Sequence, residues 1–191
     1  MSGPKDNMRI LVLDEEFPYP PNTGKRIRSY NLLRRIASNH ELHYMAYGKE
    51  ESNSFRKFKE IGMNPIAVKT QLPRKEGIGF YFRLAMNLFS GLPYVVTSHY
   101  SDIFQNAVYE LVEKQNPDMI ICEWTPYAAF VKNITDVKRV IVAHNVETRI
   151  WKRYFGNESD PAKKWYIGKQ MVKLEKFERD VFQWADGATA V

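Results

Sequence analysis

The sequence has little cysteine, no long apolar run and no internal repeat, and each absence excludes a class of protein. A single cysteine among 191 residues, Cys122, excludes a framework of internal disulfides, and its apolar neighbours predict a small buried side chain. No segment approaches the ~20 consecutive apolar residues that span a bilayer. The first eight residues lack the apolar stretch of a secretory signal. These absences favour a cytoplasmic globular protein, with residues 1–8 as a tag or disordered tail and one domain at residues 9–191.

Signatures for common cofactors and metals are also missing. The sequence contains no G-x-G-x-x-G, which disfavours a nicotinamide or flavin site, and its four histidines lack metal-ligand spacing. We therefore expect neither a metal nor a cofactor. The net charge of +6 is spread over several segments and is not interleaved with aromatics, which speaks against nucleic acid. A solvated basic surface, an anionic membrane or a phosphorylated ligand remain as explanations.

What the sequence does have is a regular alternation of apolar strands and amphipathic helices. Strands are predicted at residues 9–14, 41–47, 65–68, 118–123, 139–143 and 187–191, and helices at 25–38, 52–61, 77–96 (ending near 91–93), 102–114 and from Asp160 onward. This alternation predicts a Rossmann-like α/β fold, a parallel sheet with helices on both faces. Because no helix follows the last strand, we expect this domain to be half of a larger architecture whose second domain is absent from this chain.

The loop and helix start at residues 21–28 carry the first candidate site. Ligands of open α/β sheets bind at the carboxyl ends of the strands, where this segment falls. Gly24 lets a backbone approach a ligand, and the amides of a helix N-terminus attract anions, with Thr23 as a candidate cap. Lys25 and Arg28 oppose the helix dipole unless an anion neutralises them, so the segment predicts a phosphate site. A plain turn with solvated basic residues is the alternative.

Two further strand ends carry unusual residues. Glu123 and Trp124 pair an acid with a large aromatic, which suits a polar, stacking ligand such as a sugar; alternatively Trp124 packs on the sheet edge and Glu123 caps a helix. His144, Asn145 and Glu147 place an imidazole, an amide and a carboxylate after the next strand. An imidazole there suits a base or a hydrogen-bond donor near neutral pH, and a structural histidine is the alternative. The other histidines, at positions 40, 43 and 99, have no such setting.

These segments together resemble the N-terminal domain of a GT-B glycosyltransferase of the glycosyl transferase group 1, or family 4, type. The matching stretches are residues 18–24 (PYPPNTG) with Arg28 and residues 31–33, residues 117–124 (PDMIICEW), residues 142–147 (VAHNVE) and residues 185–191 (ADGATAV). The resemblance implies two Rossmann-like domains facing each other across a cleft. The N-terminal domain shapes the acceptor site, and the C-terminal domain, absent here, holds most of a nucleotide-diphosphate sugar. It also implies sugar transfer with retention of configuration, and an inactive isolated chain.

The resemblance also implies roles for individual residues. Many members have two adjacent glycines where this chain has Gly24 and Lys25, and a histidine where it has Glu123 or Trp124. The acidic E-x₇-E pair of such enzymes belongs to the C-terminal domain. The catalytic candidates are His144 and Glu147, and the substrate- or phosphate-binding candidates are Thr23, Gly24, Lys25, Arg28, Glu123, Trp124 and Asn145.

Other interpretations of the same residues stay open. A ligand-binding module without catalysis and a nucleotide-sugar epimerase both fit the architecture. The aromatic segment at residues 77–96, beside Arg74, Lys75 and Arg83, fits a contact with the acceptor or with the surface of an anionic membrane. A helix buried against the sheet is the alternative for that segment.

Overall fold

The sheet has six parallel strands. The computed structural model describes residues 7–70 and 72–190. The strands are β1 (Arg9–Asp14), β2 (Glu41–Tyr47), β3 (Asn64–Val68), β4 (Met119–Cys122), β5 (Lys138–Ala143) and β6 (Gly187–Ala190). The helices are α1 (Gly24–Ala37), α2 (Asn53–Glu60), α3 (Gly77–Asn87), α4 (Tyr94–Thr97), α5 (Asp102–Gln115), α6 (Glu147–Asn157) and α7 (Pro161–Trp184), with a 3₁₀ helix at Thr125–Phe130. The predicted Rossmann-like α/β fold is confirmed.

The strand order is β3-β2-β1-β4-β5-β6, and every pairing is parallel. The chain runs outward from β1 through β2 to β3, then returns to the other side of β1 with β4. Leu13 near the end of β1 therefore pairs with Met45 of β2 on one side and Cys122 of β4 on the other. A change of direction of this kind opens a crevice at the carboxyl ends of the two strands beside it. In this chain the crevice lies at the ends of β1 and β4.

Apolar side chains of the central strands fill two cores, one on each face of the sheet. Successive side chains of a strand point to opposite faces, so Leu11 and Leu13 join one core while Ile10 and Val12 join the other. Helices α5 and α7 and the 3₁₀ helix cover the first core, and α1 and α2 cover the second. Cys122 lies fully buried in the first core, where burial raises the pKa of its thiol well above the usual value. The expectation of a small buried side chain is confirmed.

Four helices begin with a side-chain cap that the sequence supplies. In each, a side-chain oxygen accepts a hydrogen bond from a backbone amide three residues on, which satisfies one of the free amides of the first turn. The caps are Thr23 for α1, Ser52 for α2, Ser101 for α5 and Asp160 for α7. Pro161 follows Asp160 in the first turn of α7, where its missing N–H costs nothing.

The aromatic segment at residues 77–96 differs from its prediction. It forms two helices, because α3 ends at Asn87 and α4 begins only at Tyr94, behind Pro93. The buried amide of Asn87 joins them by donating to the carbonyl of Leu92 and to Oγ1 of Thr97, at 3.1 and 3.0 Å. The alternative of a helix buried against the sheet is wrong for α3, whose Ile78 is 91% exposed.

Helix α6 has no counterpart in the sequence-based prediction. The residue at its N-cap, Val146, has no side-chain oxygen and makes no capping bond. The cap comes instead from Glu178, 31 residues further along on α7, whose carboxylate accepts from the amides of Glu147 and Thr148 at 2.9 and 3.1 Å. A local pattern could not reveal a helix start that depends on so distant a residue.

The two ends of the described chain both contact the sheet. Residues 1–6 of the expected tail and Val191 of the expected last strand lie outside the described residues. Asn7 and Met8, which the sequence assigned to the tail, are bonded to the start of β2: Asn7 Oδ1 accepts from the Glu41 amide at 3.1 Å, and the Met8 carbonyl accepts from the same amide at 2.9 Å. Strand β6 pairs with β5 from Val140 to Ala143.

Candidate functional site

Three strand ends and one helix start meet at the crevice. Asp14 ends β1, Glu123 and Trp124 follow β4, and His144 follows β5. The first turns of α1 lie over the same edge, where Lys25 and Ser29 reach Asp14 and Glu123. The sheet thus brings together residues that are more than a hundred positions apart in the sequence.

A buried carboxylate, Glu123, forms the centre of the site. Its side chain is 1% exposed, and its Oε2 accepts from Ser29 Oγ at 2.5 Å and lies 3.1 Å from His144 Nε2. Burial acts to raise the pKa of Glu123, but the hydrogen bonds from His144 and Ser29 more than offset it and the pKa falls below its usual value. The carboxylate is therefore ionised at neutral pH, and it accepts a hydrogen bond from His144 Nε2.

A second buried carboxylate, Asp14, binds the first turn of α1. Its Oδ1 accepts from Lys25 Nζ at 2.6 Å and its Oδ2 from the Tyr44 hydroxyl at 2.7 Å. Burial raises the pKa of Asp14 to about 6, although Lys25 and Tyr44 counteract part of the effect. Lys25 also lies 3.3 Å from Glu15 Oε1. Burial opposes its charge, but the two carboxylates outweigh that effect and raise the pKa of Lys25.

The basic residues of the first turn of α1 are thus neutralised by the chain itself. Lys25 is paired with Asp14 and Glu15, and Arg26 makes a two-pronged contact with Glu16 at 2.7 and 2.6 Å. The expectation that Lys25 needs an external anion to offset the helix dipole is therefore wrong. The three consecutive acids at residues 14–16 were visible in the sequence, but their pairing with the helix start depends on the path of the loop.

Arg28 differs from these two residues. Its Nη2 lies 3.5 Å from Thr189 Oγ1, which is the long limit of a hydrogen bond, and its Nη1 is buried without a partner. Its positive charge also contributes to the low pKa of Glu123, behind the hydrogen bonds from His144 and Ser29. A buried guanidinium nitrogen with no acceptor is costly, which makes Arg28 the candidate for a contact with an anion. Near it, a Cβ on Gly24 would meet nothing within 4 Å, so the start of α1 faces open space.

Trp124 and Glu147 form the opposite side of the site. The indole Nε1 donates to Glu147 Oε1 at 2.9 Å. Burial raises the pKa of Glu147; the bond from Trp124 lowers it, and the charge of nearby Glu178 raises it further. Glu147 is thus a carboxyl with a raised pKa, hydrogen-bonded to the edge of a large aromatic ring.

A histidine that the sequence did not single out also lies here. The ring of His99 packs edge-on against the Trp124 ring with centroids 4.9 Å apart, and its Nε2 lies 3.9 Å from Glu15 Oε2. Burial lowers the pKa of His99, so the ring is neutral near pH 7. The sequence placed His99 at no strand end; the structure brings it to the crevice just after α4, beside Trp124.

Two of the sequence candidates stay at the margin. Thr23 is exposed and serves as the cap of α1, with its Oγ1 3.4 Å from the Arg26 amide. Asn145 is exposed after β5. Within residues 7–70 and 72–190, no three His, Cys, Asp or Glu side chains converge as a metal site requires, and no helix has the length and apolarity to cross a membrane.

The topology and this polar edge define an α/β domain of the Rossmann type with its candidate site at the switch point of the sheet. Neither a family model nor a curated protein matches the chain in sequence. Its fold matches a crystal structure of the glycosyltransferase VinC in complex with dTDP, with 12% identity and a TM-score of 0.51, covering 96% of this chain and 49% of that one. A structure of Arabidopsis thaliana UGT89C1 complexed with UDP matches with 10% identity and a TM-score of 0.48, covering 96% and 45%.

The chain therefore has the fold of the N-terminal domain of a GT-B glycosyltransferase, as the resemblance implied. It spans about half the length of the solved structures that it matches.

Proposed function

We propose that this chain is the acceptor-side half of a glycosyltransferase that uses a nucleotide-diphosphate sugar. The observation that carries the proposal is the pair of hydrogen bonds that join Ser29, Glu123 and His144 at the switch point. The unpartnered Nη1 of Arg28 belongs to the same helix as Ser29. This arrangement combines an imidazole held by an ionised carboxylate with a guanidinium that has one nitrogen without a hydrogen-bond partner. A transfer reaction with a diphosphate leaving group uses both.

Arg28 is the proposed contact for the donor phosphate. Its Nη1 has no partner, and the start of α1, one turn earlier in the helix, is open around Gly24. The VinC structure, which has this fold, contains dTDP. Most of the donor's binding surface belongs to a second domain in this proposal, so the present chain alone binds the donor weakly and transfers no sugar.

Trp124, Glu147 and His99 are the proposed acceptor side. An aromatic face next to hydrogen-bonding groups is suited to a sugar, whose ring is apolar on its faces and polar at its rim. Glu147 and Glu15 offer carboxylate oxygens at either end of the His99–Trp124 pair. Asn145, exposed beside His144, adds an amide at the rim.

The stereochemical outcome separates two mechanisms. We propose retention, which the resemblance to family 4 enzymes supports. The Glu123–His144 pair favours a second candidate, because a carboxylate-supported imidazole can deprotonate an acceptor hydroxyl for direct displacement, which inverts the anomeric centre. Proton NMR of the freshly formed glycoside distinguishes the two by the coupling constant of its anomeric proton.

Replacing Arg28 tests the proposed donor site. In a chain extended to include the second domain, we expect Arg28→Gln to weaken nucleoside-diphosphate binding about thirtyfold in titration calorimetry, because a charge-assisted bond to phosphate is lost. Arg26→Gln is the matched control: Arg26 lies two residues away but is paired with Glu16, and binding should not change. Equal effects of both changes would contradict a specific phosphate contact of Arg28.

The same extended chain distinguishes the other interpretations. Incubation with nucleotide sugars and no acceptor reveals an epimerase if one sugar is converted into another. Donor binding with neither conversion nor transfer across a panel of acceptors identifies a ligand-binding module. Sugar transfer by residues 1–191 alone would contradict the proposal that the reaction requires a second domain.

A further inference from the structure

Helix α3 and the turn after it leave an apolar side uncovered. Positions 78, 82, 86 and 89 follow one another at intervals of four or three residues, so they lie along one side of the helix. Five large side chains here are between 53% and 91% exposed: Ile78, Tyr81, Phe82, Met86 and Phe89. We call these five residues the α3 surface. A contiguous group of this kind on a protein surface marks an interaction site more often than a chance exposure.

The α3 surface is held in place from behind. Phe80, on the opposite side of the helix, packs edge-on against Tyr94 with ring centroids 5.9 Å apart. At the end of the helix, Gln170 Nε2 donates to Asn87 Oδ1 at 2.8 Å, and Lys173 Nζ donates to the Asn87 carbonyl at 2.5 Å. These contacts fix which side of α3 faces outward.

Basic side chains border the α3 surface. Arg74 and Lys75 precede the helix and are exposed, and Arg83 within it is partly buried and donates to the Arg74 carbonyl. Lys163 of α7 lies across a groove of about 410 Å³ from Tyr81. The acids at this border are Glu76 and Glu158. The border therefore carries four basic and two acidic side chains.

We propose that the α3 surface docks on an anionic lipid bilayer. Aromatic and aliphatic side chains beside arginine and lysine are the combination that binds at the headgroup boundary. The surplus of positive charge argues against a second copy of this chain, since two such borders would repel each other. The proposal does not depend on the proposed function.

Vesicle co-sedimentation tests the docking directly. The chain is expected to sediment with vesicles of phosphatidylcholine and phosphatidylglycerol and to stay in solution with phosphatidylcholine alone. Phe82→Ser with Phe89→Ser should weaken binding at least about tenfold by removing apolar area. Lys75→Glu should weaken it at least about fivefold by loss of a surface charge. Leu32→Ser with Ile103→Ser, at sites 42% and 59% exposed outside the α3 surface, is the matched control and should bind as the unchanged chain does.

A second readout reports which residue enters the membrane. Brominated phosphatidylglycerol should quench the added tryptophan fluorescence of a Phe82→Trp variant. It should not quench the added fluorescence of a Leu32→Trp variant. The proposal is overturned if the unchanged chain ignores anionic vesicles, or if the control pair weakens binding as much as the Phe82 and Phe89 pair. Sedimentation equilibrium that finds a dimer abolished by the Phe82 and Phe89 changes would also overturn it, because the occupant would then be a second copy.

Discussion

Glu178→Ala is expected to lower the free energy of unfolding by about 3 kcal/mol, a loss of more than a hundredfold in the ratio of folded to unfolded chains. Glu178 is 5% exposed, and its carboxylate accepts from the amides of Glu147 and Thr148 and from the Thr148 hydroxyl. Alanine leaves two buried amides and a hydroxyl without an acceptor at the start of α6. Part of the loss is offset because a buried carboxylate no longer has to be desolvated. Urea unfolding followed by circular dichroism measures the change.

Two variants make this test specific. Glu178→Gln keeps one acceptor oxygen at the same position, so we expect it to lose only part of the stability. Glu175→Ala removes an acid from the same helix that is 47% exposed and lies 3.9 Å from Arg179, and its effect should stay within about 0.5 kcal/mol. If Glu175→Ala were as harmful as Glu178→Ala, the loss would reflect the helix and not the cap of α6.

The sequence predicted the sheet and the edge that carries the candidate site because both follow from short-range patterns. Each strand is a run of apolar residues ended by polar ones, and parallel strands place their carboxyl ends on the same side. That rule alone predicted that Glu123, Trp124 and His144 lie close together. In the structure, Glu123 and His144 form a hydrogen bond at 3.1 Å. Their roles in binding or catalysis stay predictions.

The parts that could not be predicted depend on partners far apart in the chain. The cap of α6 comes from Glu178, 31 residues away, and the contact of Arg28 with Thr189 joins positions 161 residues apart. The pairing of Lys25 with Asp14 spans only 11 residues, but it requires the loop between them to fold back on the strand end. His99 reaches the crevice through α4, whose position is fixed by tertiary contacts. In each case the sequence shows the type of residue but not which distant residue it contacts.

Asp14→Asn is expected to change the pH dependence of stability more than any other single change at the site. The pKa of Asp14 is raised by burial from 3.8 to about 6 in the folded chain. A raised pKa means that the folded chain holds the proton more tightly than the unfolded chain. The stabilisation from that proton is fully present below pH 3.8 and is lost as the pH rises towards and through 6. A difference of about 2 pH units corresponds to about 3 kcal/mol.

The measurement is the difference in unfolding free energy between the unchanged chain and Asp14→Asn, taken at intervals from pH 3 to pH 7. Groups that titrate alike in both proteins cancel, so this difference should fall by about 3 kcal/mol as the pH rises. Asp186→Asn provides a control of opposite sign. The amide of Arg139 holds the pKa of Asp186 below its usual value, so the stability from Asp186 is present above its unfolded pKa and lost as the pH falls. A flat difference for Asp14→Asn would contradict the raised pKa.

A difference in unfolding free energy that falls as the pH rises would mean that ionised Asp14 destabilises the folded chain at the crevice. Near neutral pH the chain keeps a fully buried carboxylate ionised at a cost to its own stability, and Lys25 and Tyr44 hold both of its oxygens. A protein under selection for stability alone would place an amide or an apolar group there. Asp14 instead fixes Lys25 at the start of α1, one turn before Arg28, whose Nη1 has no partner. The instability at the end of β1 is then the cost of holding a charged helix start at the crevice.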